Sequence, residues 1–176
     1  MQKDKQRIAI DMDDVMADAS GRFVEWIAER HGVTIGREEL RTELLNKAGI
    51  PYEKIREWLW EEGFFRHMQP MPDSKEVMKE LVKKYEVFIV SAAIEFPQSL
   101  REKVEWLAEH FPFIDWRYIV LCGHKYMIQA NYLIDDHEKN LISFTGTPIV
   151  FTAPHNIHLQ GFERVNNWAE IGNKFL

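Results

Sequence analysis

The stretch RIAIDMDDVMAD, residues 7–18, places four aspartates within eight positions directly behind a short apolar run. The run has the β-rich composition of a buried strand, so the aspartates are expected at the carboxyl end of that strand. Two ionised carboxylates a few ångströms apart repel each other by ~1 kcal/mol in water and by several kcal/mol at a protein-like dielectric. We therefore expect positive charge nearby that offsets this repulsion.

The composition is typical of one globular domain with room for a small inserted subdomain. The chain has 176 residues, of which 45% are hydrophobic and 28% are charged, as in ordinary globular domains. Its net charge of −6 argues against a nucleic-acid polymer or a membrane surface as the partner, because those partners are bound by basic surfaces. Cys122 is the only cysteine, and the polar start MQKDKQ is followed by no apolar signal segment. We expect a cytoplasmic protein; a dimer is compatible with the sequence but not required by it.

The residues after the first predicted strand have helical periodicity. Residues 20–31 and 37–48 place apolar side chains at helical spacing, and the segment from Pro51 to Gly63 has the start and stop signals of a third helix. We expect these helices to form a small cap, residues 19–66, inserted into a core of residues 1–18 and 67–176. The apolar residues behind this prediction are Phe23, Trp26, Ile27, Leu40, Leu44, Leu45 and Ala48.

The rest of the chain alternates between strand and helix patterns. A helix capped by Asp73 and Glu76 is predicted first, and a helix that begins at Pro97 follows later, with Leu100, Val104 and Leu107 facing inward. The alternation predicts an α/β fold with a Rossmann-like parallel sheet and helices on both faces. The predicted strands are the apolar runs 85–91, 118–122, 131–136 and 147–153.

Polar side chains stand where the predicted strands end. In a parallel sheet these ends share one edge, and ligands bind just outside it. Carboxylate ligands around an open position suit Mg²⁺, whereas a hydroxyl and an ammonium group suit a phosphate monoester. The sequence therefore predicts a magnesium site beside a phosphate-ester site, built from Asp11, Asp13, Ser91, Lys125, Asp135 and Asp136.

The first two of these aspartates have the spacing of a catalytic pair. Asp11 and Asp13 lie two residues apart, so in an extended segment their side chains share one face. One carboxylate can then act as a nucleophile while the other serves as the proton donor to the same ester. Aspartate nucleophiles that form aspartyl-phosphates are a known solution to phosphoryl transfer.

The same motifs resemble the four signature motifs of the haloacid-dehalogenase-like (HAD) phosphohydrolases. D-x-D-x-V follows strand one, a serine follows strand two, a lysine precedes strand four and an Asp-Asp pair follows it. The longer stretches DMDDVMAD, GFFRHMQPMPDSKEVMKEL, LIDDH and FTAPHN resemble the 5'(3')-deoxyribonucleotidase family. Three departures stand out: Asp14 replaces a glycine of the vertebrate enzymes, Ala19 replaces a base-pocket aromatic, and SAA at 91–93 replaces Thr-Ser-Pro.

The resemblance implies a Mg²⁺-dependent phosphatase that acts on (deoxy)ribonucleoside 5'(3')-monophosphates through an aspartyl-phosphate. It implies that Asp11 attacks phosphorus, and that Asp13 protonates the leaving oxygen and then activates water. Mg²⁺ would be held by Asp11, the Asp13 backbone carbonyl and Asp136, with Asp135 in support. Base preference does not follow, because the departures fall partly in the base pocket.

The remaining substrate contacts also follow from the resemblance. Ser91 and Lys125 would bind phosphoryl oxygens. The family uses aromatic side chains near the end of the cap to hold the base, and this makes Trp60, Phe64 and Phe65 candidates for substrate binding.

Several other interpretations are open or excluded at this point. The same chemistry could serve another small phosphate ester, and a receiver-like phosphoacceptor module also uses acids, a hydroxyl and a lysine at strand ends. A calcium loop that starts at Asp11 is excluded, because its twelfth position is Arg22 instead of the required glutamate. Zinc at His155 and His158 is disfavoured, because no cysteine or suitably spaced acid accompanies them.

Overall fold

The computed structural model describes residues 5–40, Leu45 and residues 49–176. Within this part of the chain, a six-stranded sheet has the order β3-β2-β1-β4-β5-β6, and every neighbouring pair is parallel. The strands are β1 (Arg7–Ile10), β2 (Glu86–Ser91), β3 (Ile119–Leu121), β4 (Tyr132–Asp135), β5 (Thr147–Phe151) and β6 (Glu163–Val165). The predicted α/β fold with a parallel sheet is confirmed.

Helices cover both faces of the sheet. The described α-helices are α1 (Ala19–His31), α2 (Tyr52–Glu57), α3 (Ser74–Lys84), α4 (Ser99–His110), α5 (Glu138–Ile142) and α6 (Trp168–Phe175). Short 3-10 turns at Arg37–Glu39 and Trp58–Trp60 lie between β1 and α3. None of the helices in the described ranges is long and apolar enough to cross a membrane.

The core lies on both sides of the central strands. Successive side chains of a strand point to opposite faces, and all three apolar side chains of β1 are fully buried. Ile8 and Ile10 join the larger apolar cluster, whereas Ala9 joins a smaller cluster on the other face. The larger cluster continues into the segment after β1 through Trp26 and Phe64. The predicted boundary between core and cap at residues 18/19 and 66/67 stays a prediction.

Two elements differ from the sequence prediction because their signals are weak. β6 was not predicted, since its three residues, Glu163–Val165, contain one apolar side chain and give no strand pattern. For the predicted helix over 37–48, residues 41–44 and 46–48, including Leu44 and Ala48, lie outside the described residues. Its first residues, Arg37–Glu39, form a 3-10 turn.

The two long helices of the core also correct the predictions about their ends and faces. Asp73 precedes α3, but it has a left-handed φ of 62°, and its side chain makes no capping hydrogen bond among the described residues. In α4 the predicted inward residue Val104 is 44% exposed. The buried side of α4 is formed instead by Ser99, Glu102, Lys103, Trp106 and Leu107. This rotation brings a lysine to the sheet edge.

Candidate active site

The three central strands bring their carboxyl ends together at one edge of the sheet. Asp11 follows β1, and its backbone N–H donates to Ile134 O at 2.9 Å, which ties it to the neighbouring β4. Ser91 ends β2 on the other side of β1, and Asp135 ends β4. The parallel register therefore places the predicted polar residues side by side, as the order of the motifs requires.

Lys125 joins two of these strand ends. Its Nζ lies 2.6 Å from Asp11 Oδ1 and 2.6 Å from Asp135 Oδ2, and the side chain is almost completely buried. Burial alone would lower the pKa of Lys125, but the charges and hydrogen bonds of both carboxylates outweigh burial and raise it. Burial likewise would raise the pKa of Asp11, yet Lys125 lowers it overall. Asp11 is therefore held as a carboxylate beside an ammonium group.

Asp135 is anchored as a supporting residue. Besides the ammonium of Lys125, it accepts hydrogen bonds from the His137 backbone N–H at 2.8 Å and from Asn140 Nδ2 at 2.9 Å. Its side chain is completely buried. These contacts use both carboxylate oxygens, so Asp135 orients Lys125 instead of facing the cavity.

A second buried lysine, Lys103 of α4, was missed by the sequence analysis. Its Nζ donates to Asp13 Oδ2 and lies 3.0 Å from Ser91 Oγ. It also lies 4.5 Å from the centroid of the Phe65 ring. The available signal was its helical spacing: Lys103 lies three and four residues before Trp106 and Leu107, on the face that α4 buries.

Asp136 has one carboxylate oxygen without a hydrogen-bond partner among the described residues. It is buried, and among the described residues no partner lies within hydrogen-bonding distance of its Oδ1 or of Asp13 Oδ1. Burial first, and then the charges of Asp11, Asp135 and Asp14, raise the pKa of Asp136 well above 3.8. Carboxylate oxygens of Asp11, Asp135 and Asp136 lie within 4.8 Å of one another. A buried acceptor set of this kind fits a hard divalent cation such as Mg²⁺.

Asparagine and histidine side chains from the segment after β5 hold the Asp136 loop. Asn156 Nδ2 donates to the carbonyls of Asp136 and Phe151 at 2.7 and 2.8 Å. Its Oδ1 accepts the Ala153 N–H at 3.1 Å, so Asn156 closes a turn and also tethers the cavity wall. His155 Nε2 lies 3.1 Å from Asp136 Oδ2.

A cavity of about 660 Å³ opens in front of these residues. One end of its wall carries polar and charged residues, including Asp11, Asp13, Ser91, Lys103, Lys125 and Asp136. The other end is mostly apolar and comes from the segment after β1 and the turn after β2, with Phe23, Leu40, Ile55, Leu59, Phe65 and Phe96. A larger hollow of about 950 Å³ lies at the amino ends of the strands, lined by residues such as Arg7, Glu86 and Asn131, away from the acidic cluster.

The three aromatic candidates are separated by the fold. Phe65 lines the cavity. Phe64 is fully buried and packs against Phe23 and Trp26, with ring centroids 4.6 and 5.3 Å away. Trp60 is 59% exposed, lies outside the cavity wall and meets Phe96 edge-on. The helix predicted from Pro51 to Gly63 ends earlier, because α2 ends at Glu57 and the 3-10 turn that follows it ends at Trp60.

Comparisons with known proteins agree with this arrangement. Residues 5–176 match the model of the family described as "5' nucleotidase, deoxy (Pyrimidine), cytosolic type C protein". The chain belongs to this family. A Staphylococcus aureus relative (strain Mu50) is 46% identical over 98% of this chain and 96% of its own length. A Bacillus subtilis relative named 5'(3')-deoxyribonucleotidase is 41% identical over 98% of this chain and 99% of its own length. The protein is therefore an enzyme of the phosphatase class.

Solved structures show the same fold at low sequence identity. A HAD family hydrolase from Deinococcus radiodurans, described with bound phosphate and sodium, has a TM-score of 0.64 at 13% identity and covers 95% of this chain and 93% of its own. A HAD-type hydrolase from Bacillus subtilis, described as bound to magnesium, has a TM-score of 0.59 at 12% identity. The match covers 98% of this chain and 99% of that hydrolase. The predicted HAD-like core is thereby confirmed as the fold.

Proposed function

We propose that this enzyme is a Mg²⁺-dependent phosphomonoesterase that hydrolyses (deoxy)ribonucleoside 5'(3')-monophosphates through a phosphorylated Asp11. The observation that carries the proposal is the two-ended cavity. Its charged end contains Asp11, Asp13 and Asp136, with two buried lysines beside them. Its apolar end suits the nucleoside. The names of the family and of the Bacillus subtilis relative support this choice of substrate.

The acidic residues fit the proposed metal. Mg²⁺ usually takes one or two carboxylates and keeps several waters, and the unpartnered Oδ1 of Asp136 is a ready ligand. We assign the metal to Asp11, the Asp13 backbone carbonyl and Asp136, with Asp135 in support. When bound, Mg²⁺ supplies positive charge that offsets the carboxylates and polarises a phosphoryl oxygen.

Asp11 is suited to attack phosphorus. Its lowered pKa keeps it ionised, and Lys125 contacts its Oδ1, so the carboxylate is oriented. An oxygen of Asp11 forms the new bond to phosphorus while the bond to the nucleoside oxygen breaks. Asp13 gives its proton to that leaving oxygen. Asp13 then takes a proton from water, which attacks phosphorus, releases phosphate and restores Asp11.

The positive and hydroxyl groups around the cavity are suited to the phosphoryl oxygens. Lys125 and Ser91 are the predicted contacts, and Lys103 reaches the same end through its contacts with Asp13 and Ser91. Ammonium groups in a buried site stabilise the developing charge more strongly than they would in water. When the substrate binds, its phosphoryl group balances the positive charge of Lys103, which Asp13 balances in the free enzyme.

Of the three aromatic candidates for base binding, one lines the apolar end of the cavity. Phe65 faces the cavity together with Phe96, so we assign these two rings to the base. Phe64 is withdrawn into the core and Trp60 lies outside the wall, and neither is part of the proposal. A different small phosphate ester is the alternative, because the rest of this wall contains aliphatic side chains such as Leu40 and Leu59 that do not distinguish bases.

Phosphate release from a panel of esters tests this function. The panel contains 5'- and 3'-deoxynucleotides, ribonucleotides and small sugar phosphates, each with Mg²⁺ or with a chelator. We expect nucleotides to be hydrolysed with the highest kcat/KM and the chelator to abolish turnover. Asp11→Asn should lower kcat by roughly 10³-fold or more, since it removes the nucleophile.

Asp115→Asn is the matched control, because Asp115 is a partly exposed aspartate paired with Arg117 outside the cavity. Its kcat should equal that of the wild type. Turnover by Asp11→Asn at the rate of this control would rule out the covalent mechanism. A preference for sugar phosphates over every nucleotide would leave the chemistry intact and replace the proposed substrate.

A further inference from the structure

Three side chains from two loops meet at the rim of the cavity, and two of them, His137 and His155, have no part in the proposed hydrolysis. His155 Nε2 lies 3.1 Å from Asp136 Oδ2, and His137 Nε2 lies 3.6 Å from the same oxygen. One ligand atom from each of the three residues lies within 4.8 Å of the other two. The imidazole rings stack with centroids 4.5 Å apart and an interplanar angle of 24°. Both rings therefore direct a nitrogen towards one carboxylate oxygen.

The distances are close to those between neighbouring ligands of a bound transition metal. Around Zn²⁺, with bonds of about 2.0–2.1 Å and bond angles of about 90–110°, ligand atoms lie about 2.9–3.4 Å apart. The observed separation of 3.1 Å for His155 lies within this range, whereas that of 3.6 Å for His137 lies just above it. A shift of a few tenths of an ångström in His137, whose side chain is half exposed, would complete the fit.

The chemistry of this cluster differs from that of the neighbouring Mg²⁺ ligands. Two imidazole nitrogens and one carboxylate are a common donor set for Zn²⁺ and other transition metals, whereas Mg²⁺ prefers oxygen alone. The two sites use different oxygens of Asp136, since Oδ1 has no partner among the described residues and Oδ2 faces the histidines.

The cluster is also accessible to an ion from solution. His137 and His155 both line the cavity and are partly exposed, whereas Asp136 is buried beneath them. The histidines therefore form the open side of the site, and water can fill the remaining coordination positions, as in zinc sites with three protein ligands.

We propose that Asp136 Oδ2, His137 Nε2 and His155 Nε2 form a second cation site, specific for a transition metal such as Zn²⁺. The site shares Asp136 with the proposed Mg²⁺ position and lies at the mouth of the cavity. It rests on the geometry of these three side chains and does not depend on the identity of the substrate. It also pairs His155 with partners other than His158, the neighbour that the sequence suggests.

Calorimetric titration of Zn²⁺ into the full chain, with Mg²⁺ in excess and no substrate present, tests this site. We expect one Zn²⁺ per chain. His137→Ala and His155→Ala should each weaken binding at least tenfold, because each removes one of three protein ligands. His158→Ala is the matched control: His158 is a cavity-wall histidine of the same loop but not a member of the cluster, and its variant should bind as the wild type does.

Co²⁺ gives an independent readout of the ligand set. Visible absorption of bound Co²⁺ should show nitrogen ligation in the wild type and in His158→Ala, and should lose intensity in His137→Ala and His155→Ala. Circular dichroism of each variant checks that it is folded. Absence of Zn²⁺ binding, or equal affinity in all three variants, would overturn the proposal, and in either case phosphatase activity with Mg²⁺ still tests the proposed function separately.

Discussion

Asp14 occupies a backbone conformation that normally favours glycine. Its φ is 54°, and a side chain in this left-handed region costs roughly 1–2 kcal/mol. The cost is offset by local contacts: Asp14 accepts hydrogen bonds from the Ser20 backbone N–H at 2.8 Å and from Ser20 Oγ at 2.6 Å, and pairs with Arg37 at 3.1 Å. These contacts explain how an aspartate can stand where the resembling vertebrate enzymes have glycine.

Substitution of Asp14 separates the backbone cost from the side-chain contacts. Asp14→Ala and Asp14→Gly both remove the bonds to Ser20 and Arg37, but only glycine removes the left-handed strain. We expect Asp14→Gly to be more stable than Asp14→Ala by about 1 kcal/mol. Urea unfolding of both variants measures the difference. Equal stabilities, or a more stable alanine variant, would show that the strain is absent.

At the scale of elements, helix α4 connects the two ends of the cavity. Lys103 reaches the acidic cluster, and Glu102 beside it accepts hydrogen bonds from the Gly63 N–H at 2.6 Å and the Arg66 N–H at 3.0 Å. Glu102 thereby holds the turn that carries Phe65 into the cavity wall. Because Gly63 has a φ of 86°, this turn has a conformation that depends on glycine and is stabilised from α4.

Loss of Glu102 should release this turn. In Glu102→Ala two partly buried backbone N–H groups lose their acceptor, so we expect the free energy of unfolding to fall by about 2 kcal/mol. Arg101→Ala is the control on the exposed side of the same helix, because the Arg101 side chain is 87% exposed, and it should change stability by less than about 0.5 kcal/mol. Denaturant titration compares the two variants. A loss in Glu102→Ala no greater than in the control would argue that the turn is held by other contacts.

At the scale of the whole molecule, the buried acidic cluster of the candidate site lowers the stability of the metal-free fold. Asp11, Asp13, Asp135 and Asp136 converge where the described residues supply two buried ammonium groups, those of Lys103 and Lys125. Burial and the neighbouring carboxylates raise the pKa of Asp136 well above 3.8. An acid whose pKa is higher in the folded than in the unfolded chain favours folding while it is protonated and loses that contribution as pH rises through its folded pKa.

Metal-free stability should therefore depend on Asp136 in a defined direction. The wild type loses stability relative to Asp136→Asn as pH rises from about 3.8 through the raised pKa. At neutral pH in the presence of a chelator, we expect Asp136→Asn to be the more stable protein. Added Mg²⁺ should stabilise the wild type and leave Asp136→Asn unchanged. Urea midpoints across pH, with and without Mg²⁺, measure both effects, and a metal-free Asp136→Asn that is less stable at neutral pH would contradict them.

Prediction from sequence succeeded where a local pattern and one topological rule were sufficient. The runs before Asp11 and Asp135 predicted two buried strands, and the rule that parallel strands end at one edge placed their polar ends together. It failed for Val104 and Lys103, because the face that α4 buries is set by packing against the sheet and not by apolar spacing alone. It also missed the polar strand β6, because this strand is defined by its pairing with β5 and not by a local apolar pattern.

By itself, the sequence determined the α/β class and the convergence of Asp11, Ser91 and Asp136, because each follows directly from a strand end. Only the tertiary structure decided that Phe65 faces the cavity, and that His137 and His155 meet at one oxygen of Asp136. These contacts join separate segments of the chain, because Phe65 and His155 lie on other segments than Asp136 and His137. No spacing in the sequence encodes them, since they depend on how helices and loops pack over the sheet.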